Sequence, residues 1–230
     1  MKSIGWKSRG LAVAAMAASG LWAGSAAAQV KVGFNVPLTG FAAADGKSAL
    51  DGAKLAVAQA NANGGIGAKQ VELVVCDDQG VAKEAVPAAT KLVEKDQVVA
   101  AVFGSYSGST RAAASIFQAG KVPYVVAYAI HPEITLAGDY MFRVSAMGEV
   151  QGRAGAKLAS DLGKKKVVII TIKNDFGQSL AAGFKEAAPK FGLNIQNEYE
   201  YGMQDRQFGP LASKIRADTS FSAFISATST

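Results

Sequence analysis

Two stretches of the chain bring together residues able to bind a charged small molecule. Gly104-Ser105-Tyr106-Ser107-Gly108-Ser109-Thr110 follows an apolar run and opens a helical pattern. Hydroxyls and unpaired amides at a helix start suit a carboxylate. Ser107 or Ser109 would alternatively serve only as the helix cap. The next apolar run ends in Tyr128-Ala129-Ile130-His131-Pro132, so a second loop opens on the same sheet edge, where ligands of parallel sheets collect. A third stretch, Gly40 to Ser48, reads G-F-A-A-A-D-G-K-S and has the look of a phosphate loop, but five residues separate its glycines. A phosphate cradle needs four, so this is a strand-to-helix loop with Gly46 near the helix start. Within it, Asp45 either faces a cleft, where it would meet a cationic group, or is a solvated carboxylate favoured by the helix dipole.

Other chemistries find no residue set. The single cysteine, Cys76, ends the apolar stretch from Val71 and reads as a buried small hydrophobe. One histidine, His131, leaves zinc without ligands and a thiol or serine nucleophile without a partner. No dinucleotide glycine pattern and no nucleophile elbow occurs. The expectation is a non-catalytic protein with no cofactor and no metal.

Composition places the chain among packed globular proteins, with half of its 230 residues apolar and 18% charged. The first 28 residues hold three cations, no acid, an apolar run from Leu11 to Ala23 and Ala26-Ala27-Ala28. That is the pattern of a secretory signal peptide over residues 1–28, cleaved before Gln29. The run is shorter than the roughly 18 residues a membrane span needs. Without it, 21 Lys and Arg face 18 Asp and Glu, which leaves no electrostatic footprint for nucleic acid.

These loops require elements to hold them. Apolar runs at Val30–Leu38, Val71–Cys76, Val98–Phe103, Val122–Tyr128, Val167–Ile172, Ile195–Tyr201 and Ala223–Ser226 read as strands, several apolar on consecutive residues as burial on both faces demands. Helical stripes lie between them, which implies parallel sheets covered on both sides. Gly64-Gly65, Gly120 and Gly192 are expected at left-handed helix ends, and Pro87 in the first turn of a helix starting near Lys83 or Glu84. The segment 132–149 breaks the alternation and reads as a crossing between two lobes or as a surface loop.

Taken in order, Asn35-Val36-Pro37-Leu38-Thr39-Gly40, Asp51-Gly52-Ala53-Lys54-Leu55-Ala56-Val57, Asn61-Ala62-Asn63-Gly64-Gly65-Ile66, Asp77-Asp78, Gly104 to Thr110, Ala129 to Thr135, Asp175-Phe176-Gly177 and Asp205 to Ile215 resemble the periplasmic leucine/isoleucine/valine-binding protein family. The resemblance implies an α/β, type I periplasmic-binding-protein fold. Its two Rossmann-like lobes would occupy residues 29–146 and 147–230, both incomplete in this chain because members of the family are substantially longer. It implies a periplasmic solute-binding component of an ABC importer for amino acids or related small carboxylates, partnered by an inner-membrane permease; a ligand-sensing receptor or regulator of the same fold is the alternative. The implied ligand contacts are Ser107, Tyr128, Ala129 and Ile130 from the first lobe and Phe176 from the second, with Asp45, Tyr106 and Glu149 as further candidates. Ile130 stands where the family usually has Thr, Asp45 where an aromatic is common, and Phe176 where Tyr is usual, so the solute need not be a branched-chain amino acid. Phe176 would alternatively be a core aromatic.

Overall fold

The structure, a computed structural model, describes residues 29–227; the signal peptide expected over residues 1–28 lies outside them. The first half runs β1 (Val30–Val36), α1 (Ala43–Ala62), β2 (Val71–Asp77), α2 (Ala82–Thr90), β3 (Ala100–Phe103), α3 (Ser107–Ala119), β4 (Tyr124–Val126), α4 (Glu133–Leu136) and β5 (Met141–Arg143). The second runs α5 (Gly148–Asp161), β6 (Lys166–Ile172), α6 (Asp175–Ala187), β7 (Asn194–Tyr201), α7 (Gly209–Ala217) and β8 (Ala223–Ala227). All pairings are parallel, in a five-stranded sheet of order β2-β1-β3-β4-β5 and a three-stranded sheet of order β7-β6-β8. The segment 132–149 therefore supplies the last strand of the first sheet and the path to the second.

Strand order decides where a ligand can enter. The chain steps from β1 outward to β2, then returns past β1 to β3, so crossovers of one hand put α1 and α2 on opposite faces. Loops leaving β1 and β3 consequently diverge and leave a crevice at their carboxyl ends. In the second sheet the chain likewise reverses at β6, between β7 and β8.

Two separate cores hold the sheets. One packs α2 and α3 on the first sheet around Leu92, Phe117, Tyr124 and Ile134; the other packs α5 and α6 on the second around Val167, Ile169 and Phe184. Helix α5 meets α6 through glycines. A Cβ on Gly152 would lie 2.1 Å from the Leu180 carbonyl oxygen, and one on Gly183 would lie 2.1 Å from that of Glu149.

Several local expectations are corrected. Burial on both faces holds poorly for the first sheet, because α1 buries only Gly46 along its length and Leu55 is exposed. Pro87 lies in the interior of α2, which begins one residue earlier than expected at Ala82. Gly120 closes α3 with φ −76°, and Lys121 takes the left-handed turn at φ 53°. Glycine is required at 120 by space instead, since a Cβ there would meet the Val93 side chain at 2.4 Å. Gly64, Gly65 and Gly192 do have positive φ.

Candidate binding cleft

The end of β3 is where the backbone departs from regular geometry. Phe103 has φ 110° and Gly104 φ 60°, a conformation that a non-glycine residue holds only when its surroundings impose it. The Phe103 ring stacks on Phe34 at 5.0 Å. A Cβ on Gly104 would press on Thr110 and the Tyr124 hydroxyl at 2.7 and 2.8 Å. This turn lifts Ser105 and Tyr106 over the carboxyl edge of the sheet and starts α3 at Ser107.

Helix α3 opens without a side-chain cap. Tyr106 is the capping residue and supplies no hydrogen bond, while Ser109 Oγ donates back to the Tyr106 carbonyl at 3.1 Å. Ser107 is buried in the first helical position and accepts from the Ile130 amide at 3.3 Å. A hydroxyl used as an acceptor keeps its own proton to donate. The first helix amides have no intrahelical acceptor, so the α3 start presents unpaired donors.

Around it lies a two-part cleft. The narrower part, about 90 Å³, is bordered by Phe41, Tyr106, Ser107 and Tyr128 from the first sheet's loops and by Asn174 and Phe176 from the second's. It joins a wider part, about 450 Å³, through Ser105, Tyr106 and Tyr128. Phe41, on the turn after β1, meets Tyr106 edge to face at 5.0 Å. Both belong to the loops that diverge at the β1/β3 reversal.

The loop between β1 and α1 is stapled from β2. Partial burial pushes the Asp77 carboxyl up, but hydrogen bonds from the Thr39 hydroxyl and from the Gln79, Leu38 and Thr39 amides outweigh it and hold the group below the ordinary range. Asp78 beside it accepts from the Gly80 amide at 2.9 Å; burial raises it to about 6, and the neighbouring Asp77 charge adds to that. Asp45 accepts from the Tyr106 hydroxyl at 2.7 Å. Burial, then that bond, raises the phenol above its usual value.

The second sheet reaches the cleft through the loop after β6. Asn174 caps α6 by accepting from the Gly177 amide at 2.8 Å, which leaves its NH2 group free. Across the cleft, Arg111 of α3 donates from Nη1 to Glu133 at 2.7 Å and forms an ion pair with Asp175, its Nε 2.9 Å from the carboxylate. An ion pair thus connects the two sheets' helices beside the cleft mouth.

Of the residues singled out from sequence, Ser107, Tyr128, Phe176 and Tyr106 border the narrow part, and Asp45 borders the wide part. Ala129, Ile130 and Glu149 border neither part. The Ala129 amide donates to Gly104, and its carbonyl accepts from Arg143 and Ser145. Ile130 is buried, its amide bound by Ser107 and its carbonyl by the Gly148 amide. Both residues join the first sheet to α5, and their amides and carbonyls already take part in hydrogen bonds within the protein. The caps foreseen for Ser107 or Ser109 are not formed. Phe41, Ser105, Asn174 and Met203 also border the cleft; of these, Ser105 lies in the hydroxyl-rich stretch and Phe41 in the loop of Gly40 to Ser48, while Asn174 and Met203 carry no such signal.

Comparison with known proteins agrees with this architecture. A family model described as periplasmic binding protein matches residues 29–228. The chain is 32% identical over 194 residues to an amino acid binding protein of Pseudomonas aeruginosa, covering 84% of this chain and 52% of that one. It is similar to the branched-chain amino acid transporter substrate binding protein of Streptococcus pneumoniae, solved with isoleucine, at 31% identity and TM-score 0.78, covering 86% of this chain and 57% of that one. It is also similar to an ABC-transporter solute binding protein of Rhodopseudomonas palustris, solved with 3,4-dihydroxybenzoic acid, at 26% identity and TM-score 0.77, with 86% and 54% covered. The chain spans about half the length of the relatives it matches. With two parallel sheets whose strand-end loops meet at one cleft, and a family match running from Gln29 nearly to its last residue, the chain belongs to the periplasmic binding protein family.

Proposed function

We propose that this chain is the solute-binding part of a periplasmic ABC importer, taking amino acids or related small carboxylates and handing them to an inner-membrane permease. The observation that carries this is the uncapped start of α3, with Ser107 and its amides turned to a cleft that both sheets border. A carboxylate there gains charge-assisted hydrogen bonds and the favourable end of the helix dipole. Phe176 covers it from the second sheet. Closure is then the functional event, because a ligand touching both lobes stabilises the closed arrangement by contacts it lacks in the open one. The change of lobe falls at residues 146–147, after β5 and before α5. Relatives solved with isoleucine and with 3,4-dihydroxybenzoic acid share a carboxylate and little else, which supports that group as the common handle. A thermal-shift screen of amino acids, organic acids and neutral sugars on the full chain tests the reading. Carboxylates are expected to raise the melting temperature; a response to uncharged sugars alone rejects it.

A further inference from the structure

Arg111 stands one turn into α3, and neither it nor its two acidic partners borders either part of the cleft. The two arms of its guanidinium face different halves of the molecule. Nη1 donates at 2.7 Å to Glu133 of α4, which belongs to the same half as α3. The segment carrying Glu133 is itself tied to the first sheet, because Arg143 of β5 donates to the Ala129 and His131 carbonyls and to the Thr135 hydroxyl. Nε instead lies 2.9 Å from the carboxylate of Asp175, the first residue of α6 in the other half. Among the described residues, every other ion pair closes within one half.

This asymmetry has a physical consequence. Nε–H and Nη1–H belong to one rigid planar fork, so holding one on Glu133 aims the other. An arginine already held at one arm has little rotamer freedom left to lose when it gains a second partner. Asp175 is equally prepared. It follows the Asn174 cap in the first turn of α6, and the first turn of α3 comes against it, a Cβ on Gly108 lying 3.9 Å from its carboxylate oxygen. Its charge therefore faces the favourable ends of two helices, one from each half. Parting the halves breaks the contact with Asp175 and leaves the one with Glu133 in place.

Resting on the closing motion proposed above, we infer that Arg111, preset by Glu133, is a clasp that closes on Asp175 and favours the closed arrangement before any solute arrives. A solute meeting an arrangement already favoured gives up less of its binding energy to closing the lobes. The test needs no ligand. Spin labels at Lys47→Cys and Lys173→Cys, exposed positions on opposite halves, report the distance between the halves in the full chain carrying Cys76→Ala. The parent is expected to show a short and a long population. Asp175→Asn keeps the shape and removes the charge, and is expected to shift their ratio toward the long distance by up to about fivefold, the range of a partly exposed ion pair. Glu133→Gln should shift it the same way by less, since it loosens the aim and spares the pair. Added salt should lengthen the distance in the parent more than in the Asp175→Asn variant. Arg153→Met breaks an ion pair of similar exposure inside the second half and should leave the ratio unchanged. Melting curves report that each variant keeps the fold. If Asp175→Asn fails to shift the ratio toward the long distance, or Arg153→Met shifts it as much, the clasp is overturned. The carboxylate-binding role is judged separately, by the thermal-shift screen, and stands or falls without it.

Discussion

Asp78 is 1% exposed and holds the amide of Gly80, a residue that borders the narrow part of the cleft, so its charge state bears on that loop. Burial disfavours its ionised form and raises its carboxyl from 3.8 to about 6; the Gly80 hydrogen bond opposes this, and the charge of Asp77 assists it. A carboxyl raised on folding means that the folded state binds the extra proton. Its contribution is then complete below the unfolded value and is lost as the pH rises through about 6. The loss amounts to about 3 kcal/mol by pH 7.5. Asp78→Asn keeps an oxygen for Gly80 and removes the charge. It is expected to match the parent in melting temperature near pH 4 and to exceed it clearly at pH 7.5, as read from melting curves across that range. A variant less stable than the parent at pH 7.5 contradicts this account.

Helices α5 and α6 owe their close approach to glycine rather than to a hydrophobic stripe alone. Where Cβ atoms are missing at Gly152 and Gly183, each helix backbone enters the other's surface, and the atoms in the way are backbone, which cannot rotate aside. Gly152→Ala would gain helix propensity of up to about 1 kcal/mol, but the clash with the Leu180 carbonyl and the Phe184 amide forces the helices apart. Overpacking of this kind costs about 1–3 kcal/mol, so a net loss is expected in chemical denaturation, whereas Gly52→Ala, with no atom within 4 Å of its Cβ, should gain stability in the same assay. The same contrast explains what the sequence could reveal. Consecutive apolar residues in β6 and the helical stripe through Leu180, Phe184 and Ala187 announce a parallel α/β layer because burial repeats with the period of the element. A glycine gives no such signal: at Gly120 the sequence points equally to a left-handed turn, whereas the neighbouring Val93 is what excludes a side chain. The hydroxyl-rich stretch at 104–110 was legible by composition, but the fates of Ala129 and Ile130 were not. Their backbone groups are claimed by Arg143, Ser145 and Gly148, partners up to 18 residues away in the chain that only the crossing brings near. Asn174 and Phe41 became site residues through strand order, since the reversals at β1 and β6 aim their loops at one place.

At the scale of the molecule, the two hydrophobic cores share no residue: one draws on positions 76–141, the other on positions 156–193. What joins them is local: the packing of Gly148 between Ile130 and Ser179, the Arg111–Asp175 ion pair and the hydrogen bond from the Gly148 amide to the Ile130 carbonyl. A partly exposed ion pair contributes up to about 1 kcal/mol, too little to make halves with separate cores unfold as one. Ligand-free protein is therefore expected to give two calorimetric transitions. Phe117, fully buried against Tyr124, reports on the first, and Phe184, buried between α5 and β6, on the second. Phe117→Leu and Phe184→Leu remove on the order of 1 kcal/mol each, which for halves of this size lowers one transition by about 4–8 °C. Each substitution should move its own transition and leave the other in place. A ligand held by α3 on one side and by the loop after β6 on the other binds only when both halves are folded. At a hundred times its dissociation constant it adds about 2.7 kcal/mol to that state, nearly three times what the ion pair offers. The two transitions should then rise and merge, and the merged transition should fall with either substitution. A single ligand-free transition that responds equally to Phe117→Leu and Phe184→Leu would show that the halves are already coupled through contacts other than the cleft.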